Sequence, residues 1–284
     1  MAANPLSSFT SKTLNSYYHT KILSDYPSSN RLLLSLFRQP NLSHMSVKQL
    51  IAWGELFDQE SSTIRVAAGR LVKQGFLLAH KRGHYTVGAT DKTISQLAAS
   101  WRYSEDQVTD WHGGWISIFT AHIGPTTKQN IRIRERAFRL LGFKPYERNL
   151  WCRPDNLRES ADSTFARLVK IGLEDTAIMM KVVQFNQDSA TNPMSLWSPL
   201  ELNINYKLLA SMLDRSAKRL NDIDVIQATR ESFLIGDHVI RTINQDPLLP
   251  EEMVDVSKRQ KLLAAMIEYD RVCHPIWNKF INHF

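Results

Sequence analysis

Ser61–Gly88 reads SSTIRVAAGRLVKQGFLLAHKRGHYTVG, and its pattern predicts one helix, a short strand, a basic tip and a returning strand. Ile64, Ala67, Ala68, Leu71 and Val72 recur at the i, i+3, i+4, i+7 spacing of a packed helical face. The opposite face carries Ser62, Arg65, Val66, Gly69 and Lys73. Small and basic side chains there suit close approach to a phosphate-lined groove. Gly75 stands where a glycine ends a helix. Residues 76–79 and 84–87 then flank Lys81-Arg82-Gly83, the composition of a β-hairpin with glycine in its turn. The stretch holds five Lys and Arg (Arg65, Arg70, Lys73, Lys81, Arg82) and no Asp or Glu. A helix followed by an acid-free basic hairpin is the pattern of the reading half of a winged helix-turn-helix. The alternative is a surface helix and an ordinary hairpin with solvated charges.

Upstream, Ser28-Ser29-Asn30 offers N-caps for a helix through Phe37, and Pro40 is placed to stop it. Ser46 caps a second predicted helix over residues 47–57, with Leu50, Ile51 and Phe57 as core candidates. A tight turn around Asp58-Gln59 leads to Glu60-Ser61-Ser62, which opens the third. Three short helices and a hairpin follow the winged-helix order, in which the third helix enters the major groove and the wing lies on the backbone. Residues 1–28, rich in Ser, Thr, Asn and Tyr, are expected to form a loosely held arm, and residues 91–110 a connecting helix and polar linker.

At 284 residues the chain is long enough for about two domains. Hydrophobic content of 43% with 22% charged residues describes a soluble globular protein, and the net charge of +7 permits a polyanionic partner. The two cysteines, Cys152 and Cys273, have neither zinc spacing nor the pattern of a disulfide framework, which suits a reducing cytoplasm. No apolar run is long enough to span a bilayer, and the N-terminus lacks a signal-peptide core, so no membrane association is expected. H-E-x-x-H, G-x-S-x-G, P-loop and G-x-G-x-x-G signatures are absent, so the expectation is a protein without catalytic residues, metal or resident cofactor.

Separated motifs along the chain carry a resemblance. RLLLSLF, then TIRVAAGRLVKQGFL with Ile64-Arg65, Ala67, Arg70-Leu71-Val72 and Gly75-Phe76-Leu77, then KRGHYTVG, resemble the winged-helix domain of the phenylacetic-acid-degradation repressor (PaaX) family. The wing ends in Tyr85-Thr86-Val87, with valine where the family usually has leucine. Trp111-His112-Gly113-Gly114-Trp115 resembles the family's W-x-G-x-W entry to a middle domain. Leu141-Gly142-Phe143, Leu150-Trp151-Cys152-Arg153-Pro154 and Asp246-Pro247-Leu248-Leu249-Pro250 resemble its L-G-F, (V/L)-W-x-x-P and D-P-x-L-P motifs. The likeness covers most of residues 30–284.

Strands over 116–123 and 176–185 with helices over 128–141 and 157–171 suggest a ferredoxin-like unit. Such middle domains of the family resemble the small nuclease-like protein of CRISPR adaptation in fold alone. After Pro193 the pattern is helical, with one apolar face at Leu208, Leu209, Met212 and Leu213 and another at Leu262, Leu263, Met266 and Ile267. The expected organisation is α+β: an arm (1–28), a winged helix-turn-helix domain (29–90), a connector (91–110), a ferredoxin-like middle domain (111–188) and a helical C-terminal domain (189–284).

Within the reading region, Ser62 and Thr63 lie at a helix N-terminus, where backbone amides favour phosphate; Ser62 reads equally as an N-cap. Arg65 is the best base-edge candidate, since arginine pairs bidentately with guanine. Lys73 is placed for phosphate, Val66 for a thymine methyl or for nothing, and Gly69 for close approach. Arg70 suits either DNA or an internal salt bridge. Lys81, Arg82 and His84, with Tyr85 beside them, would meet the backbone without reading sequence. Arg132, Arg136 and Arg139 share one helical face. They suit the phosphates of an acyl-coenzyme-A effector, a solvated face or a subunit contact. The resemblance implies a thioester effector such as phenylacetyl-coenzyme A. Trp111, Trp115, Trp151, Trp197 and Trp277 suit an aromatic pocket or, more commonly, core packing. The expected function is a homodimeric, ligand-responsive transcriptional repressor of a catabolic operon, reading a pseudo-palindromic operator in double-stranded DNA. The alternative is a metal-dependent nuclease on the middle domain, for which Asp110 is the nearest acid to the first strand.

Overall fold

The Ser28 hydroxyl accepts the Arg31 amide at 3.4 Å and opens α1 (Ser29–Phe37), which buries Leu32, Leu33, Leu36 and Phe37. The coordinates are a computed structural model that describes residues 18–37, 39, 42, 44–81, 83–88, 100–124, 127–185 and 192–284. The expectations for residues 1–17, Pro40, Arg82 and 91–99 lie outside the described residues. Residues 18–28 are not a loose arm. Residues 18–23 are helical with Ile22 buried, and the Pro27 carbonyl accepts the Gln59 side-chain amide at 2.7 Å.

Ser46 caps α2 (Val47–Glu55) in a reciprocal capping box. Its hydroxyl accepts the Gln49 amide at 3.2 Å, and its own amide donates to Gln49 Oε1 at 2.8 Å. The third helix, α3 (Ser61–Lys73), buries Ile64, Ala67, Ala68 and Leu71, the predicted stripe, with Val72 half-buried. A Cβ added at Gly54 would lie 2.5 Å from Ile64 Cγ1, so glycine sets the close approach of α2 and α3. Gly75 (φ +75°) ends α3 in the left-handed region, where glycine carries no Cβ penalty. Strands β2 (Leu77–Lys81) and β3 (His84–Val87) follow, with Gly83 (φ +79°) at the tip. The first strand thus runs to Lys81 and not only to Ala79. A three-residue strand, β1 (His44–Ser46), adds to β3, giving an antiparallel sheet ordered β1-β3-β2.

The hairpin is anchored to the end of α3 through Gly88, whose amide donates to the Phe76 carbonyl at 2.8 Å. A Cβ on Gly88 would stand 2.1 Å from the Gly75 oxygen and 2.8 Å from two further backbone carbons. No rotamer change relieves a clash with backbone. Gly88→Ala is therefore expected to lose at least ~3 kcal/mol of stability, at the high end of overpacking effects. Urea unfolding measures this, and a variant within ~0.5 kcal/mol of wild type, the range of an ordinary surface change, contradicts the close approach.

Helices α6 (Pro199–Arg219), α7 (Val225–Asn244) and α8 (Val256–Ile281) complete the chain. Contacts divide the whole into one unit of Met1–Trp101, Leu208–Arg241 and Leu262–Phe284, and another of Arg102–Lys207 and Thr242–Lys261. In the first, Trp53 packs edge-on against Trp277 and Phe280, with ring centroids 5.6 and 5.4 Å away, and tilted against Phe233. Leu208, Leu209, Met212 and Leu213 are buried as predicted, and so are Leu262, Leu263 and Met266. Ile267 is not: it is 44% exposed, one position past the buried face of α8. The Asp237 carboxylate accepts the Ser35 hydroxyl at 2.7 Å and pairs with Arg31 (3.3 Å) and Arg241 (3.1 Å), joining α1 to α7.

The second unit runs β4 (Trp115–Phe119), α4 (Lys128–Leu140), β5 (Lys144–Glu147), β6 (Leu150–Pro154), α5 (Ala161–Lys170), β7 (Ile178–Val182). All strand pairs are antiparallel, in the order β5-β6-β4-β7. Strand β4 stops at Phe119, short of Ile123, because the Thr120 amide turns to the Asn149 carbonyl at 2.9 Å. Its five residues pair one-to-one with β7, which is accordingly shorter than residues 176–185. Helix α5 starts after its Ser160 cap, since Leu157 bridges to Val108 in extended form. Ile116, Ile118, Phe138, Phe143 and Leu168 form one core cluster. Trp115, Cys152, Trp197, Leu249 and Met253 form another. Trp111 and Trp197 both pack on Trp115, and Trp151 stacks on Phe138 at 4.6 Å.

Residues 246–250 are held by side chains. Arg153 donates to the Pro247 carbonyl at 3.2 Å, Asn156 to the Leu248 carbonyl at 2.7 Å, and Arg259 to the Leu249 carbonyl at 2.6 Å. Asp246 accepts the Leu248 amide at 2.8 Å. Together they fix Leu248 at φ +52°, a conformation that an L side chain adopts only under constraint.

Candidate nucleic-acid interface

The apolar stripe of α3 faces the core, so its remaining positions face outward. Ser62, Thr63, Arg65, Val66, Gly69, Arg70 and Lys73 are all exposed, Val66 to 62%. A Cβ at Gly69 would meet nothing within 4 Å, so the helix surface there is open. Ser62 is not the N-cap. Glu60 holds that position without a side-chain cap bond, and the Ser62 hydroxyl donates to Glu60 Oε2 at 3.2 Å. The first-turn amides of α3 are therefore left without a side-chain acceptor.

Arg65, Arg70, Lys73 and Lys81 have no acidic partner among the described residues, and α3 has no acid in its first turn. The internal salt bridge considered for Arg70 does not form there. By comparison, Arg31, Arg134, Arg167, Arg219, Arg241 and Arg259 each pair with a carboxylate.

The β1-β3-β2 sheet follows α3 directly. Ser46 pairs with His84, and His44 pairs with Thr86. On the other side Ala79 pairs with Tyr85 and Lys81 with His84, the register shifting between them. His80 falls between these two pairs, at the irregularity of the ladder. His44, His80, Lys81 and His84 are exposed and Tyr85 is half-buried. His44 and His80 were missed from sequence. Nothing in a three-residue strand announces its pairing, and alternation cannot foresee a bulge.

On α4, Arg132, Arg136 and Arg139 all lie exposed, and Arg139 pairs with Glu135 at 3.6 Å. Arg134 points the other way, buried, and donates to both Glu174 oxygens at 2.8 and 2.6 Å. Burial works against the Glu174 charge, but the Arg134 hydrogen bonds and a backbone bond outweigh it and hold the carboxyl below its ordinary value. Asp110 is exposed ahead of β4, and β4 itself, WISIF, carries no acid. The Cys152 thiol is pushed up to about 12 by burial, which leaves it protonated and unreactive at neutral pH. No helix among the described residues is long and apolar enough to cross a membrane.

The chain matches no protein-family model and no curated protein. It is similar to a solved structure of an uncharacterized protein, Rv0674 from Mycobacterium tuberculosis, with a TM-score of 0.56 at 18% identity. The match covers 89% of this chain and 98% of that one, and at this identity it is a likeness of fold.

Proposed function

We propose that the chain is a DNA-binding transcriptional regulator with an N-terminal winged helix-turn-helix. The observation that carries this reading is the uncompensated positive surface of α3 and the wing. Arg65, Arg70, Lys73 and Lys81 stand exposed and without an acidic partner among the described residues, whereas several arginines elsewhere bind carboxylates. The helix order α1-α2-α3 followed by β2-β3, with β1 added to β3, supports the winged-helix assignment. The β4-α4-β5-β6-α5-β7 order supports a ferredoxin-like middle unit. In this reading α3 enters the major groove, Arg65 meets base edges, Lys73 and Arg70 meet flanking phosphates, and Lys81, Arg82 and His84 track the backbone. The protein acts in the cytoplasm as a homodimer on a pseudo-palindromic site, in the manner of the PaaX family. An acyl-coenzyme-A effector contacting Arg132, Arg136 and Arg139 would favour a dimer geometry with lower operator affinity.

Salt dependence of duplex binding tests this assignment. Lys81→Ala is expected to weaken binding to all duplexes alike and to reduce the slope of log K against log salt by about 1. Binding that is insensitive to salt contradicts a phosphate-contacting wing.

A further inference from the structure

A sheet edge presents unpaired backbone groups to any other strand, and folds blunt it with short strands, charge, proline, bulges or a covering element. Among the described residues the two sheets have four edges, β1 and β2 in one, β5 and β7 in the other. Three are blunted. Strand β1 has only three residues. Strand β2 shifts register between Ala79 and Lys81 and exposes His80 and Lys81 there. Strand β5 holds Pro145, which has no amide hydrogen, between exposed Lys144 and Glu147. Its register shifts at that point, and it lies beside the helical turn Pro193–Leu196.

The fourth edge, β7, is left open. Its sequence IMMKV has no proline, and it pairs one-to-one with β4 along all five residues without a bulge. No strand among the described residues pairs with its outer side. Ile178 and Met180, which share one face of the strand, are 46% and 38% exposed, and Val183 just beyond is exposed as well. The single charge, Lys181, is already taken up within the chain: its ammonium donates to Asp155 Oδ2 at 2.9 Å.

We propose that β7 is the homodimer contact, pairing antiparallel with the β7 strand of a second copy about a two-fold axis at Met180. The two four-stranded sheets then continue as one. This deepens the homodimer part of the reading above. Side chains opposite each other in an antiparallel pair point to the same face, so a two-fold axis passes through a residue and not between two. Centred on Met180, Ile178 meets the partner's Val182 and Met179 meets the partner's Lys181, so all five positions pair. Centring on Lys181 would set two ammonium groups opposite each other at ~5 Å. Centring on Met179 would carry the ladder into the turn at residues 175–176. Charge also selects a second copy over other strands. An acidic strand would compete with Asp155 for Lys181, and a basic one would add positive charge beside it. A second copy brings the same apolar residues and a lysine that is already paired.

The test is analytical ultracentrifugation of the full chain without DNA, at micromolar concentration, where wild type is expected to sediment as a dimer. Met180→Lys and Met180→Glu each set like charges opposite one another and remove two apolar side chains from the contact. Each is expected to raise the dimer dissociation constant by about a hundredfold or more. Position 180 is partly exposed, so both should keep the circular dichroism of wild type. Mixed in equal amounts they should form a heterodimer, lysine opposite glutamate, a recovery that misfolded chains cannot give. A Met180→Cys variant reads the axis independently: a short bismaleimide should join two copies, since Cys152 and Cys273 are buried. A monomeric wild type, single variants that stay dimeric, a mixture that stays monomeric, or a Met180→Cys variant that is not joined overturns the β7 contact. Duplex binding by the same wild type is measured in parallel. Binding without the β7 contact overturns the contact alone; a β7 dimer that binds no duplex overturns the DNA reading and leaves the contact standing.

Discussion

Replacing Arg153 with alanine is expected to destabilise the second unit by about 3–5 kcal/mol, the range for removing one member of a buried charged network. The side chain is 2% exposed and sits in β6. It donates to the carbonyls of Leu141 (2.6 Å), Pro154 (3.2 Å) and Pro247 (3.2 Å) and to Asn156 Oδ1 (3.2 Å). Burial lowers its guanidinium from the ordinary value to about 10, so the charge is held there at a penalty. What the residue supplies is its fork of donors, which no other side chain reproduces. Alanine leaves three carbonyls unsatisfied and opens a cavity. It also weakens the brace that keeps Leu248 in its left-handed conformation. Arg153→Lys should recover only a minor part of the loss, because one ammonium cannot span acceptors on Leu141 and Pro247 at once. Urea unfolding of the two variants measures this; an alanine variant as stable as wild type removes the network from any structural role.

The second large effect concerns recognition. Arg65→Ala is expected to cost about 1–3 kcal/mol on the preferred site, a loss of roughly tenfold to more than a hundredfold, while binding to unrelated duplex changes far less. The reason is position. Arg65 lies one residue past Ile64, whose side chain is fully buried, so its Cα is fixed by the core while its side chain projects from the first turns of α3. It also has no acid to hold it back among the described residues. Competition of specific against random duplex separates the two terms. If Arg65→Ala and Lys81→Ala lose specificity equally, the division between base reading and backbone contact is wrong.

Local signals carried much of this structure. The stripe Ile64, Ala67, Ala68 and Leu71 predicted both the helix and its buried face, because packing energy and helical period act on the same residues. Ser46 announced α2, since a cap is a property of neighbours in sequence. Long-range partners left no such trace. The carbonyls that Arg153 and Asn156 bind lie more than ninety positions away, so the D-P-L-L-P motif was legible only as a pattern, without its braces. Strand β1 has three residues, too few for alternation to register, and its pairing is what brings His44 beside β3. In the candidate site the basic residues were visible, but their freedom from acids in space was not. That freedom is a matter of which side chains meet in space, which residue spacing along the chain does not specify. The N-cap alternative for Ser62 is not realised: Glu60 holds the cap position and α3 starts at Ser61, so Ser62 lies inside the first turn.

Selection of a random duplex library by the full chain at fixed salt, followed by sequencing of the bound fraction, tests the central claim most directly. The account predicts enrichment of an inverted repeat whose half-sites are spaced by one or more helical turns, as a two-fold pair of reading helices requires. Recovery of no motif with wild type, under conditions where binding still falls steeply with salt, would contradict a sequence-reading α3 and leave a basic surface without specificity.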